Sequence, residues 1–326
     1  MKKFIFITGA GRCGTNLMLS LMDGNNKLNI IPGEATNLIM DSLSRNGFSD
    51  KVYYINLNFF LNILFQELGN NYFPNFKPKK KIIKKKMDKI YKKNFFLPLN
   101  KILSIIVEIL FKNNNPTVIN LQNENVIGLL RFFPESKVVH MLRNPLTQIN
   151  ARYLFRYRYP NNYDGIEFCS SFYRNYNSFK NAFLTKNDKR VLIVKMEDLT
   201  EKTKIEMLKV FRFLNTKLKP VNLETTLYGK KISPKSNFMV QKKIKKVSTD
   251  YSCLTPNDLY VISRIRYVRN YYSIRKFSEK QNNFILFYLR HLGFVGKNRL
   301  KSFNILRLIK CSIYSIYLYF LDNYHK

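Results

Sequence analysis

The residues of this chain best equipped for chemistry stand at its start. There Gly9-Ala10-Gly11-Arg12-Cys13-Gly14-Thr15-Asn16 sets one arginine and one hydroxyl among three glycines. Glycine lets the backbone turn tightly and approach a ligand closely. A helix opening at Thr15 aims unpaired N–H groups and the positive end of its dipole into the same space. Such a turn is an anion cradle, and phosphate is the expected ligand. Several templates overlap on it. Gly9, Gly11 and Gly14 spell G-x-G-x-x-G, and Glu34 follows a second apolar run at about the 20-residue distance of a dinucleotide site. Gly9 and Gly14 also have P-loop spacing, yet Thr15-Asn16 replaces the Lys-Ser/Thr pair that reaches the terminal phosphates and magnesium, which disfavours ATP hydrolysis. Arg12 is the distinctive residue, because a dinucleotide turn has little room for it.

The elements that must position these residues follow from apolar patterning. Lys2 to Thr8 reads as a strand emptying into the turn, and Thr15 to Met22 as a helix stopped by Asp23-Gly24. Leu28 to Ile31 is a second strand that ends near Glu34. After Pro116, strand and helix signals alternate: strand Thr117–Asn120, helix Asn125–Phe133 ended by Pro134, strand Lys137–Leu142, and helix Leu146–Phe155 with Pro145 in its first turn. Strand Val191–Val194 then leads to Lys195–Thr200 and a helix through Met207, Val210, Phe211 and Leu214. This order predicts an α/β fold, a doubly wound parallel sheet with crossover helices on both faces. His140, in mid-strand among apolar residues, reads as a core histidine. Glu197 and Asp198 read as caps of the helix that follows them.

The chain has 326 residues, enough for one elaborated α/β domain over 1–326. Residues 51–115, with Lys77 to Lys81 and Lys84 to Lys86, read as a basic helical insertion, and residues 255–326 as a helical extension. Phe95–Phe111 and Ile305–Leu321 read as buried or interfacial helices, since charges interrupt both and neither has the roughly 18–20 apolar residues of a membrane span. Fifty-six Lys and Arg against 21 Asp and Glu give a formal charge of +35. That field draws anions such as phosphorylated cofactors, acidic glycans or lipid headgroups. Nucleic acid is disfavoured: Tyr153 to Tyr159 interleaves tyrosine and arginine, but no nucleic-acid motif accompanies it. The four cysteines, Cys13, Cys169, Cys253 and Cys311, form neither a zinc pattern nor a disulfide framework. The short apolar start with Arg12 at the cleavage point argues against a secretory leader. The expectation is a cytoplasmic chain, with peripheral membrane contact open through its basic and C-terminal segments. Oligomeric state leaves no signal.

Three blocks carry a resemblance. Gly9 to Leu17 resembles the 5′-phosphosulfate loop of sulfotransferases that use 3′-phosphoadenylyl sulfate (PAPS). Phe133 to Pro145 resembles the strand and turn of their 3′-phosphate site, and Val191 to Leu214 their late strand, E-D-L turn and helix. The stretch Arg12 to Thr36, ending Pro32-Gly33-Glu34-Ala35-Thr36, is similar to the protein-tyrosine and glycan-directed branches, and in the tyrosine branch a Gly-Glu here carries the catalytic carboxylate. The resemblance implies a P-loop NTPase-like three-layer sandwich and transfer of a sulfonate from PAPS to a hydroxyl of a carbohydrate or glycoconjugate, with PAP leaving and no metal required. It implies that Gly9, Gly11, Arg12, Cys13, Gly14, Thr15 and Asn16 hold the 5′-phosphosulfate, with Arg12 also catalytic, that Glu34 is the general base, and that Arg143 binds the 3′-phosphate. Where the family shares that phosphate with a helix serine this chain has Ala151, with Asn150 beside it as a substitute donor. Tyr228 to Leu254, rich in lysine, lies where relatives cover the donor. Two other readings stay open: an NAD-type dinucleotide enzyme, resting on the glycine spacing and Glu34, and a non-catalytic membrane- or polyanion-binding protein on a degenerate sulfotransferase fold, resting on Ala151 and the charge.

Overall fold

The computed structural model describes residues 3–34, 51–53, 77–93, 96–121, 123–158, 166–227, 230–231, 244, 246–252, 254, 259, 262–263 and 265–274. Its elements are β1 (Phe4–Gly9), α1 (Thr15–Met22), β2 (Asn29–Glu34), β3 (Lys51–Tyr53), α2 (Lys77–Tyr91), β4 (Phe96–Pro98), α3 (Leu99–Leu110) and β5 (Thr117–Asn120). They continue as α4 (Val126–Phe132), β6 (Lys137–Leu142), α5 (Pro145–Arg158), α6 (Ile166–Thr185), β7 (Val191–Lys195), α7 (Met196–Glu201), α8 (Thr203–Phe213), β8 (Thr226–Leu227) and β9 (Lys230–Lys231). Packing divides the chain into two compact units. The first is Met1–Gly9, Gly14–Leu142 and Leu184–Lys246; the second is Ala10–Cys13, Arg143–Phe183 and Val247–Lys326.

The first unit is built on a five-stranded sheet of order β2-β5-β1-β6-β7, parallel at every pairing. β1 is buried along its whole length, as a central parallel strand must be, so its apolar residues serve both faces. Phe4, Phe6 and Val138 pack with Ile83 and Met87 of α2, Ile102 and Ile106 of α3, and Leu129 of α4. Side chains of the other parity, among them Ile5, Ile7, Val139 and Met141, are equally buried. α1 packs along β1, β2 and β5, and α8 along β7, which places helices on both sides of the sheet. Each such fully buried aliphatic or aromatic side chain contributes about 1.5–3 kcal/mol of transfer free energy, so this double-sided burial sets the strand positions.

The insertion is not helical throughout. β3 and β4 pair antiparallel, Lys51 with Pro98 and Tyr53 with Phe96. The apolar run expected as one helix over 95–111 therefore begins as a strand and turns helical at Leu99, directly after Pro98, the N-cap of α3. α2 buries Ile83 and Met87 while Lys81, Lys84, Lys85, Lys86 and Lys89 stay exposed. The segment after β7 is two helices, with Glu197 and Asp198 inside the first turn of α7, where they favour its dipole, and Lys195 rather than either acid at the cap. His140 is fully buried with its Nδ1 2.8 Å from the Thr8 hydroxyl.

In the second unit Phe179 of α6 is buried against Tyr271 and Tyr272, with ring centroids 6.0 and 5.9 Å away. Tyr267 lies 5.4 Å from Phe183 and 5.7 Å from Tyr176. Among the described residues no helix is long and apolar enough to cross a membrane. The expected helix over 305–321 and the side chains of Tyr153 to Tyr159 lie outside the described residues.

Candidate active site

In the first unit, α1 starts at the C-terminal edge of the sheet, where ligands of open α/β sheets bind. Its N-cap Gly14 has φ 94°, in the left-handed region, and offers no side-chain cap. A Cβ at Gly14 would overlap the Met196 Sδ and stand 3.2 Å from its Cε, so α7 closes the space that a larger residue would need. Thr15 is buried on the first turn. Asn16 accepts at Oδ1 from the Asn120 Nδ2 at 2.5 Å, which fixes the start of α1 to the end of β5. Asn120 pairs in register with Ile7 on one side and with Glu34 on the other. β2 is an edge strand that tolerates Pro32, and its register shifts between Ile31 and Glu34 so that Glu34 returns to pair with Asn120. The backbone of Glu34 thus ends β2 on the same edge as the start of α1; its side chain lies outside the described residues.

In the second unit the turn Ala10–Cys13 is held from α5 and from Arg143 just before it. The Cys13 N–H donates to the Ala10 carbonyl at 3.2 Å, and the Cys13 side chain is buried and free of any disulfide. Arg12 has φ 71°, a left-handed conformation that costs a residue with a Cβ about 1–2 kcal/mol, so the chain keeps an arginine where glycine would be easier. Arg143 follows β6 directly. Asn144 then accepts at Oδ1 from the Leu146 N–H at 3.0 Å, with Pro145 opening α5, which is why the sequence Arg-Asn-Pro ends a strand and starts a helix. The Arg143 Nη1 donates to the Arg12 carbonyl at 3.1 Å, and its Nε to the Thr147 hydroxyl at 3.3 Å. The structure therefore brings Arg12 and Arg143 together, 131 residues apart in the chain.

Gln148, which the sequence did not single out, is fully buried and donates through Nε2 to the Gly11 carbonyl. Its Oε1 accepts from the Asn175 Nδ2 at 2.7 Å, and Asn175 also donates to the Ser171 carbonyl at 2.8 Å. Two carbonyls of the turn, which would repel an anion, are thereby engaged by donors, Arg143 just before α5 and Gln148 on it. Asn150 is buried and donates to the Asp250 carbonyl at 2.9 Å, while Ala151 is half-buried. The Asp250 carboxyl is itself held below its usual range, chiefly by the Ser252 backbone N–H, which donates to it at 2.8 Å. Of the lysines expected to cover the donor, Lys246 bonds Glu201 at 3.0 Å; Lys242, Lys243 and Lys245 lie outside the described residues. Among the described residues no cluster of three or more His, Cys, Asp or Glu is placed to hold a metal ion.

The strand order separates this sheet from the dinucleotide fold. There the second strand lies beside the first, which carries its terminal acid to the nucleotide ribose. Here β5 stands between β1 and β2. The sequence over residues 5–220 matches the model of the sulfotransferase family. The chain belongs to the sulfotransferase family. The α/β sandwich of this sulfotransferase is similar to two solved structures. One is the sulfotransferase domain of the Synechococcus PCC 7002 olefin synthase, with TM-score 0.56 and 16% identity over 84% of this chain and 96% of that one. The other is the sulfotransferase domain from the curacin biosynthetic pathway, with TM-score 0.54 and 14% identity over 83% and 99%. No curated protein matches the sequence.

Proposed function

We propose that this sulfotransferase uses PAPS and moves its sulfonate to a hydroxyl of a carbohydrate or glycoconjugate. The observation that carries the reading is the turn itself: Arg12 kept at φ 71° and its backbone carbonyl held by the Arg143 guanidinium, which puts the Arg143 charge beside the turn that carries Arg12. The residues fit the donor in kind. A guanidinium suits a dianionic phosphate, and the start of α1 with Gly14 at its cap suits a second one.

PAPS, when bound, supplies a sulfonate on a leaving phosphate. Arg12 and the N–H groups around Gly14 and Thr15 stabilise the negative charge that grows on that phosphate, with Gly9, Gly11, Cys13 and Asn16 shaping the cradle. Arg143 binds the 3′-phosphate and sets the donor in line with the acceptor. Glu34 takes the acceptor's hydroxyl proton, and its place at the end of β2, on the edge where α1 begins, supports that role. Asn150 donates to the Asp250 carbonyl, so Arg143 carries most of the 3′-phosphate binding at a position where Ala151 offers no hydroxyl. The exposed lysines of α2 add to a field that steers anionic donors and acidic acceptors toward the protein.

The test is release of PAP from PAPS in the presence of a panel of sugar, lipid and peptide hydroxyl acceptors. Glu34→Gln should cut turnover by roughly 10²- to 10⁴-fold while leaving PAP affinity within about twofold. Lack of PAP release with every acceptor, together with lack of PAP binding, would overturn the proposal.

A further inference from the structure

A buried glutamine is costly unless both ends of its amide are paired, and an aliphatic residue at the same helical position would pack without that cost. Gln148 has both ends paired. Its Nε2 donates to the Gly11 carbonyl, and its Oε1 accepts from Asn175. The Asn175 amide has two hydrogens, one directed to Gln148 at 2.7 Å and the other to the Ser171 carbonyl at 2.8 Å. The chain of bonds thus runs from the backbone of α6 through two side chains to one peptide of the Ala10–Cys13 turn, and every polar atom along it that the fold buries has a partner.

That peptide is the one between Gly11 and Arg12. A trans peptide is planar, with its C=O and N–H directed oppositely. Holding the Gly11 carbonyl toward α5 therefore turns the Arg12 N–H away from α5. The next carbonyl, that of Arg12, is held by Arg143, just before α5, at 3.1 Å, and the Cys13 N–H is accounted for by the Ala10 carbonyl. Two successive peptides are thus set by two side chains, Arg143 between β6 and α5 and Gln148 on α5.

We propose that Gln148 and Asn175 are positioning residues that fix the Gly11–Arg12 peptide so that the turn presents N–H groups, not carbonyls, to the donor's 5′-phosphate. This rests on the reading of the turn as a 5′-phosphate site. Without the relay the Gly11 carbonyl is left buried and unpaired, and the peptide can rotate to satisfy it. Rotation places a carbonyl dipole where the anion binds. The defect is local to one phosphate: the Arg143 contact with the 3′-phosphate does not pass through Gln148.

Calorimetric titration of wild type, Gln148→Met, Asn175→Ala and the double variant with PAP, adenosine 5′-monophosphate and adenosine 3′-monophosphate tests this. Methionine keeps the volume and removes the amide. Gln148→Met should weaken PAP and the 5′-monophosphate by roughly 5- to 100-fold, the cost of one unpaired buried carbonyl, and leave the 3′-monophosphate within about twofold. Asn175→Ala, which leaves Gln148 in place, should show the same selectivity with a smaller loss, and should add nothing in the Gln148→Met background. Affinities that fall equally for all three nucleotides, or that do not fall at all while wild type binds PAP, would overturn the relay. Wild type that binds none of them would overturn the donor-site reading itself.

Discussion

Gly14→Ala is the perturbation whose cost follows most directly from the structure. Gly14 holds φ 94°, and a residue with a Cβ in the left-handed region costs about 1–2 kcal/mol. The added methyl would also overlap the Met196 Sδ and crowd its Cε at 3.2 Å; these atoms end a flexible side chain that can swing aside, so the overpacking sits at the low end, about 1 kcal/mol. The sum is a loss of about 2–3 kcal/mol. The two parts separate experimentally. Met196→Ala removes the overlap and leaves the backbone strain, so the double-mutant cycle should show a coupling of about 1 kcal/mol, with about 1–2 kcal/mol of the Gly14→Ala loss remaining. Urea unfolding followed by circular dichroism measures each variant, with stability read from the midpoint at constant slope. A Gly14→Ala protein within about 0.5 kcal/mol of wild type, or a loss that Met196→Ala does not relieve, would refute the reasoning.

Asn222 is fully buried, and its Nδ2 donates to the Leu21 and Asp23 carbonyls at the end of α1 at 2.9 and 3.0 Å. Asn222→Ala should cost about 1–3 kcal/mol in urea unfolding by leaving those carbonyls unpaired. Arg190 contacts both Asp188 carboxylate oxygens, at 3.0 and 2.7 Å, and this pairing holds the Asp188 carboxyl below its ordinary value. A carboxyl depressed in the folded state stabilises above the unfolded value of about 3.9 and loses that contribution as pH falls through the folded value. The stability gap between wild type and Asp188→Asn should therefore be level near neutrality, about 0.5–1 kcal/mol for this partly exposed pair, and close progressively in acid. A gap that widens on acidification would contradict the assignment.

The inner strands of the parallel sheet were readable because they are buried on both faces and appear as nearly unbroken apolar runs, as in Phe4 to Thr8 and Val138 to Leu142. Helix starts and stops were readable where a residue type is required, as at Pro145 and Gly24. Pairing of β3 with β4 was not readable. Lys51–Tyr53 and Phe96–Pro98 are short, far apart in the chain and apolar in a way that also suits a helix. In the site, Arg12 stood out because its charge is out of place among glycines, and Arg143 through the resemblance of Phe133 to Pro145 to a 3′-phosphate strand and turn. Gln148, Asn175 and Asn120 did not, because a polar residue in a helix or at a strand end ordinarily faces water. Only tertiary packing turns these amides inward, and no local spacing marks that.

The central claim is that the two arginines brought together by the fold serve one doubly phosphorylated nucleotide. Calorimetric titration of PAP into wild type and Arg143→Ala tests it most directly. The account predicts saturable one-to-one binding to wild type and a loss of roughly ten- to several-hundredfold in Arg143→Ala, the worth of charge-assisted bonds to a phosphate, with a smaller loss for the 5′-monophosphate because Arg143 also holds the Arg12 carbonyl of the turn. Absence of PAP binding, alongside binding of NAD that survives Arg143→Ala, would contradict it.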